Sequence, residues 1–202
     1  MDAAHLKTAI TEAMTGVAGH ADELRDLDAA LGDGDLGITV SSGSKAVVEA
    51  LGALGDDVTP AEIAKACAKA FANANPSTMA ALVAGALLAG SKTWADRTDV
   101  DRASAADFMQ AAADSISKRG KSEVGDKTIL DALVPAVSAL RDATDAATGL
   151  RAAIAAAERG VQETRELQSK RGRASWLQER SVGLQDPGAT AFLRFLECWP
   201  AA

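Results

Sequence analysis

Apolar side chains recur at three- and four-residue spacing through most of this 202-residue chain, and no stretch alternates with the two-residue period of a half-buried strand. Leu6, Ile10, Met14 and Val17 form one such stripe; Ile63, Ala66, Cys67 and Ala70 form another. Alanine and leucine dominate, aromatic residues make up 3% and tyrosine is absent, which favours close-packed helices over sheets. The expected class is all-α. The pattern predicts helices near residues 2–17, 20–31, 37–54, 60–73, 77–94, 103–119, 127–144, 147–168 and 188–197. One start is marked in detail: Thr59 caps, Pro60 takes the first helical position and Glu62 closes a capping box. The run AALVAGALLAG reads as a buried helix.

The length suits one domain, since domains commonly run to roughly 100–200 residues, and such a domain can bury a core without disulfides or structural zinc. A formal charge of −7 leaves no basic excess for nucleic acid or an anionic membrane surface. A small anionic ligand would therefore need a cation. Cys67 and Cys198 have neither CxxC spacing nor a histidine cluster and read as buried free thiols. The segment MDAAHLKTAITEA lacks the basic and long apolar parts of a secretory signal, and no apolar run is long enough for a bilayer. The expectation is a cytoplasmic, reducing location.

Two glycine-rich stretches break the helical pattern: LGDGDLG at 31–37 and GRASWLQERSVGLQDPGA at 172–189. The second carries Trp176, Leu177, Val182 and Leu184, too apolar for a disordered linker, and is expected to be an ordered loop covering a site. In LDAALGDGDLGIT, which runs into the first, Asp28 closes one helix and Asp33 and Asp35 flank Gly34, so three carboxylates fall within eight residues. If they converge to about 5 Å, each pair repels by about 3 kcal/mol at an effective dielectric of about 20. A divalent cation would offset that. Oxygen ligands without histidine or cysteine select a hard ion, and magnesium, which keeps positions for water and phosphates, fits better than calcium, whose EF-hand spacing is missing. Gly32, Gly34 and Gly37 could let phosphates approach the backbone. The alternative is a solvated acidic turn in which Asp33 and Asp35 cap the next helix. GALLAGSKT at 85–93 misses the phosphate-loop signature by one inserted serine and lies inside a helical pattern.

Three more segments, NPSTMAALVAG at 75–85, VGDKTILDALVPA at 124–136 and GRASWLQERSVGLQDPGATA at 172–191, complete a set. Together with LDAALGDGDLG, their order and spacing resemble the nucleotide-binding L-type subunit, or equivalent carboxy-terminal domain, of dihydroxyacetone kinases and related short-chain ketose kinases. The resemblance spans nearly the whole chain. It implies a barrel of about eight antiparallel helices with the nucleotide across one end. It implies Mg²⁺, as two ions, on Asp28, Asp33 and Asp35, and ATP or a tightly bound ADP. Leu36, Gly37, Thr39, Gly120 and Thr128 would lie along the nucleotide, Ser77 and Thr78 beside phosphate, and Arg173, Asp186, Pro187 and Gly188 around it. Each has a plainer reading: Ser77 and Thr78 start a helix, Thr128 opens another, and Arg173 is a surface cation. Lys127 reads as a solvated charge.

Three positions depart from the family's pattern: Leu36 and Leu184 stand where histidines are usual, and NPSTM replaces a glycine-rich turn. None removes a metal ligand, but they point to a substrate other than dihydroxyacetone, such as a tetrose. The implied reaction transfers the γ-phosphoryl group to a hydroxyl of a ketose held by a K-type partner subunit, because this chain has only His5 and His20, both outside the motifs. Either ATP exchanges at each turnover or bound ADP is rephosphorylated by a phosphorelay protein; both stay open, as does a homodimer. The rival functions are a regulatory nucleotide-binding partner of a transcription regulator, and a lyase or hydrolase acting on a nucleotide.

Overall fold

The computed structural model describes residues 1–200, and among them the chain is helical, with no strand beyond a single bridge between Asp2 and Asp99. The α-helices are α1 (Ala3–Ala18), α2 (Ala21–Leu31), α3 (Leu36–Ala53), α4 (Pro60–Ala74), α5 (Thr78–Ser91), α6 (Arg102–Gly120), α7 (Leu130–Asp142), α8 (Ala146–Glu163) and α9 (Pro187–Glu197). Tight 3₁₀ turns extend α5 over Lys92–Trp94 and α8 over Thr164–Glu166, and a third covers Arg173–Ser181. All the predicted helices are present.

Local chemistry explains most of the starts. The Thr59 hydroxyl accepts from the Glu62 amide while Glu62 accepts from the Thr59 amide, with Pro60 in the first turn, as expected. Asp2, Asp101, Asp145, Ser77 and Asp186 cap α1, α6, α8, α5 and α9 in the same way. The departure is α7, predicted from residue 127 and found from Leu130. Asp131 accepts from the Gly125 amide at 2.6 Å and the Thr128 amide at 2.7 Å, folding 125–129 into a turn with Lys127 left-handed at φ 61°.

Packing follows chain order from α3 to α9, and α9 returns to α1 and α2, which both lie along α3. Neighbours joined by short connections run antiparallel, so the ring closes as a barrel, with α1 and α2 forming one wall bent at Gly19 and His20. Close approach is built in. Pro135 has no amide to offer the Asp131 carbonyl, and that oxygen lies against Gly160 of α8, where a side chain would overlap it.

Apolar contacts form one core among α1–α5, joined by Ala191 of α9, and others among α5–α9. The expectation of a buried helix at AALVAGALLAG needs correction. Small residues of α5, including Ala80, Ala84, Gly85 and Ala86, face inward, whereas Leu88 is 47% exposed. The physical reason is that α6 comes close: the Phe108 ring rests on Gly90 and the Arg119 side chain on Gly85.

The two ends of the barrel differ. At one, Lys7 bonds the Leu54 and Gly55 carbonyls and Arg102 bonds those of Leu140 and Arg141. At the other lie the 32–35 and 75–77 turns, the 121–129 turn and the long 164–186 crossing. No helix among the described residues is long and apolar enough to cross a membrane.

Candidate functional site

The acidic segment is folded as a tight reversal. The Gly32 amide bonds the Asp28 carbonyl at 2.5 Å to end α2, Gly34 takes φ 75°, and α3 begins directly after Asp35. This brings one carboxylate oxygen from each of Asp28, Asp33 and Asp35 within 4.8 Å of one another. Asp28 and Asp35 are half-buried and Asp33 exposed, so solvent and a ligand can reach all three. Asp35 makes no capping bond from its side chain, and the ion pair of Asp33 is with Arg173. The helix-cap alternative therefore lacks its hydrogen bonds. Asp28 is steadied by the Leu36 amide at 3.2 Å.

Gly37 is buried against α2, and a side chain there would overlap the Ala21 carbonyl and crowd Arg25. The glycine lets α2 and α3 touch, which is what brings Asp28 to the other two. Leu36 turns into the core, and Ile38 beside it is 61% exposed. Thr39 is buried, and its hydroxyl accepts from the Asn75 side chain at 2.9 Å. That bond ties the 75–77 turn, with its NPSTM replacement, to the start of α3.

Ser77 caps α5 through the Ala80 amide at 3.1 Å, and Thr78 is the helix's first residue. With Ala72, Pro76 and Ala81 they line an open concavity of about 440 Å³. Gly120 ends α6 next to a second concavity of about 380 Å³ lined by Ser117, Lys118, Lys121, Ser122, Glu123 and Arg171. Thr128 lies just before α7, and its hydroxyl accepts from the Leu130 amide. Gly188 packs near Ile129, so the 128–129 and 186–188 segments are neighbours. Leu184, at 37%, and Trp176, at 82%, are exposed on the long crossing. The contacts thus sort the expected residues into two groups, one around the acidic triad and one where α7 meets α9.

In the second group Asp186 belongs to a buried polar layer whose other members, Asp126, Lys127 and Asp131, the sequence reading missed. Lys127, expected to be solvated, is only 2% exposed, and its ammonium donates to the Leu167 and Ser181 carbonyls at 3.0 and 2.5 Å. Burial pushes its pKa down, with the charge of Asp186 opposing that shift. Burial raises the Asp186 carboxyl to about 7, and the nearby Asp131 adds to the rise, against the Ala189 amide and Lys127. Burial also acts upward on Asp126, but the Glu123 amide, Arg171 and Lys170 outweigh it and hold that carboxyl low. Arg171 reaches Asp126 at 2.8 Å and Lys170 at 3.3 Å. The run DKT followed three residues later by Asp131 carried the one local signal, a side chain placed to accept from the Thr128 amide.

The histidines lie elsewhere. His5 pairs with Asp2 at the start of α1, and His20 with Glu23 at the α1–α2 bend. Cys67 is buried, its thiol pushed up to about 12 by burial; Cys198 is a partly buried free thiol.

Residues 30–200 match the DAK2 domain family. The chain is 32% identical over 179 residues to the ADP-binding subunit DhaL of the PEP-dependent dihydroxyacetone kinase of Escherichia coli, covering 86% of this chain and 84% of that one. It is 35% identical over 178 residues to L-erythrulose 1-kinase of Mycolicibacterium smegmatis, covering 87% of this chain but only 31% of that longer protein. The fold superposes on the dihydroxyacetone kinase of C. freundii, solved in complex with AMP-PNP and Mg²⁺, with a TM-score of 0.80 at 20% identity, over 98% of this chain and 34% of that one. With a match across most of its length and a relative of similar extent, the chain belongs to the DhaL-type DAK2 domain family.

Proposed function

We propose that this chain is the nucleotide-binding component of a two-component ketose kinase, acting on a triose or tetrose held by a K-type partner subunit. The observation that carries the reading is the convergence of Asp28, Asp33 and Asp35 at one end of the barrel with Arg173 beside them. An all-oxygen donor set, reachable from solvent, fits magnesium and leaves room for phosphate oxygens among its ligands. When bound, the metal would neutralise charge on the nucleotide's phosphates.

The chain's own residues do the rest. Asp28, fixed by the Leu36 amide, and Asp35, at the head of α3, hold the cation; Arg173 and the hydroxyls of Ser77 and Thr78 meet phosphate oxygens. The α6–α7 turn, with Gly120 and Thr128, and the start of α9 at Asp186–Gly188 line the rest of the nucleotide. Exposed Ile38, Trp176 and Leu184 border this end and supply apolar contacts for a docking partner. Docking would exclude water and align the acceptor hydroxyl. His5 lies in the first turn of α1, paired with Asp2, and His20 is engaged with Glu23 at the α1–α2 bend, so the histidine that holds a ketose carbonyl would come from the partner.

The relatives' names, an ADP-binding subunit and an erythrulose kinase, support nucleotide and substrate class respectively. The test mixes this chain with Mg-ATP, or with ADP and a phosphorelay donor, over a panel of trioses and tetroses, with and without a K-type subunit. Phosphorylation only in the presence of that subunit is expected. Robust phosphorylation by the chain alone would overturn the two-component reading.

A further inference from the structure

We propose that Lys127 is a positioning residue: by pinching together the two legs of the 164–186 crossing, it sets where Arg173 stands against Asp33. The crossing leaves α8 and returns to α9, and its excursion over 170–180 carries Arg173. At the base of that excursion, one ammonium joins the Leu167 carbonyl on the outgoing leg to the Ser181 carbonyl on the returning leg. The Ser169 amide donates to the Ser181 hydroxyl at 2.9 Å across the same base. Just beyond it, the Lys170 amide donates to the Asp126 carbonyl at 3.1 Å and Arg171 to the Asp126 carboxylate. The Lys170 ammonium also reaches the Asp126 carboxylate, at 3.3 Å. Past Arg171 the excursion's side-chain bonds are local, from Ser175 to Gly172 and from Ser181 to Gln178, apart from the pairing of Arg173 with Asp33.

An apolar side chain at 127 would leave two carbonyls at a buried base without this donor, a loss that native structures rarely tolerate. Lysine is also held left-handed there, at φ 61°, a conformation that persists only where the surroundings impose it. Both facts make residue 127 a fixed point from which the excursion is hung. The consequence is specific. Arg173 neutralises part of the charge on Asp33, which opposes a lone cation, and at the same time waits beside the phosphates of a metal-bound nucleotide.

The test rests in part on the nucleotide reading above and uses Lys127→Met and Lys127→Arg in the full chain. With the excursion released, Mg²⁺ alone should bind the triad about two- to fivefold more tightly, the range of an exposed ion pair. Mg-ADP should bind about tenfold more weakly. Lys127→Arg, which keeps a cation and donors, should recover most of the nucleotide affinity. A role confined to stability would weaken both ligands together, and that parallel loss, or no change in either, overturns the proposal. Trypsin cleavage at Arg173 and Arg180 without ligand should run at least about tenfold faster in Lys127→Met; equal rates overturn the pinch. That arm stands even if the wild-type chain binds neither ligand, an outcome that would sink the nucleotide reading instead. If Lys127→Met does not fold, hydrogen exchange of the wild type decides: protected Ser169 and Lys170 amides support the pinch and unprotected ones overturn it.

Discussion

Arg194 of α9 grips Glu23 of α2 through two hydrogen bonds, at 2.7 and 2.9 Å, joining residues 171 apart in the chain where the ring of helices closes. Arg194 also bonds Glu197, and the His20 ring approaches the Glu23 oxygen that accepts from Arg194 Nε. The Arg194 hydrogen bond, before any other cause, holds the Glu23 carboxyl below its usual range.

Arg194→Met should lower stability by about 1–3 kcal/mol, as for hydrogen bonds to charged groups, measured by urea unfolding at neutral pH. A carboxyl depressed on folding stabilises above its unfolded value of 4.5 and stops doing so as pH falls through the folded value. The gap between wild type and variant should therefore close in acid. A gap that persists unchanged at low pH would show that packing, not the ion pair, closes the ring.

Asp186 predicts the opposite slope. Its carboxyl is raised from 3.8 to about 7, so between those values the folded chain holds a proton that the unfolded chain has released. Stability from this group is complete in acid and falls as pH rises through about 7. Asp186→Asn keeps an acceptor for the Ala189 amide and removes the titration. The wild type should lose stability relative to this variant, on the order of a few kcal/mol, between pH about 4 and about 8. A constant difference across that range would contradict the burial argument.

Gly37 and Gly52 both lie in α3 and should respond to alanine in opposite ways. A side chain at Gly37 would overlap the Ala21 carbonyl, whereas nothing lies within 4 Å of one at Gly52. Gly52→Ala should stabilise by about 0.5–1 kcal/mol through the helix's preference for alanine. Gly37→Ala should destabilise by about 1–3 kcal/mol and, by pushing α2 away, weaken Mg-ADP binding as Asp28 moves off Asp33 and Asp35. Calorimetry of both variants with Mg-ADP checks this, and unchanged affinity in Gly37→Ala would detach Asp28 from the site.

What could be read from the chain and what could not divides by the distance over which the cause acts. The Thr59–Glu62 box and the Asp28–Asp35 cluster are local in sequence, and both were legible. The early part of the α7 segment was misread because the Asp131 carboxylate gathers the Gly125 and Thr128 amides into a turn, an arrangement visible only once Gly125 and Lys127 turn left-handed. Lys127 was misread for a different reason: its acceptors lie 40 and 54 residues away, at Leu167 and Ser181. Helical periodicity likewise overstated the burial of α5, because it registers that Leu88 is apolar but not that Gly85 and Gly90 let α6 take the inner face.

The central claim is that the acidic triad binds a nucleotide through a metal, and thermal unfolding with ADP tests it most directly. A site of this kind stabilises the fold by about 2.7 kcal/mol when ligand exceeds its dissociation constant a hundredfold, a shift of about 5–10 °C for a chain of this size. ADP with Mg²⁺ should produce that shift; ADP with a chelator should not, because polyphosphate would then face three carboxylates with only Arg173 to offset them. Asp33→Asn and Asp35→Asn should each abolish it. An undiminished shift in both variants, or one that survives chelation, would contradict the account and leave the triad as an acidic turn.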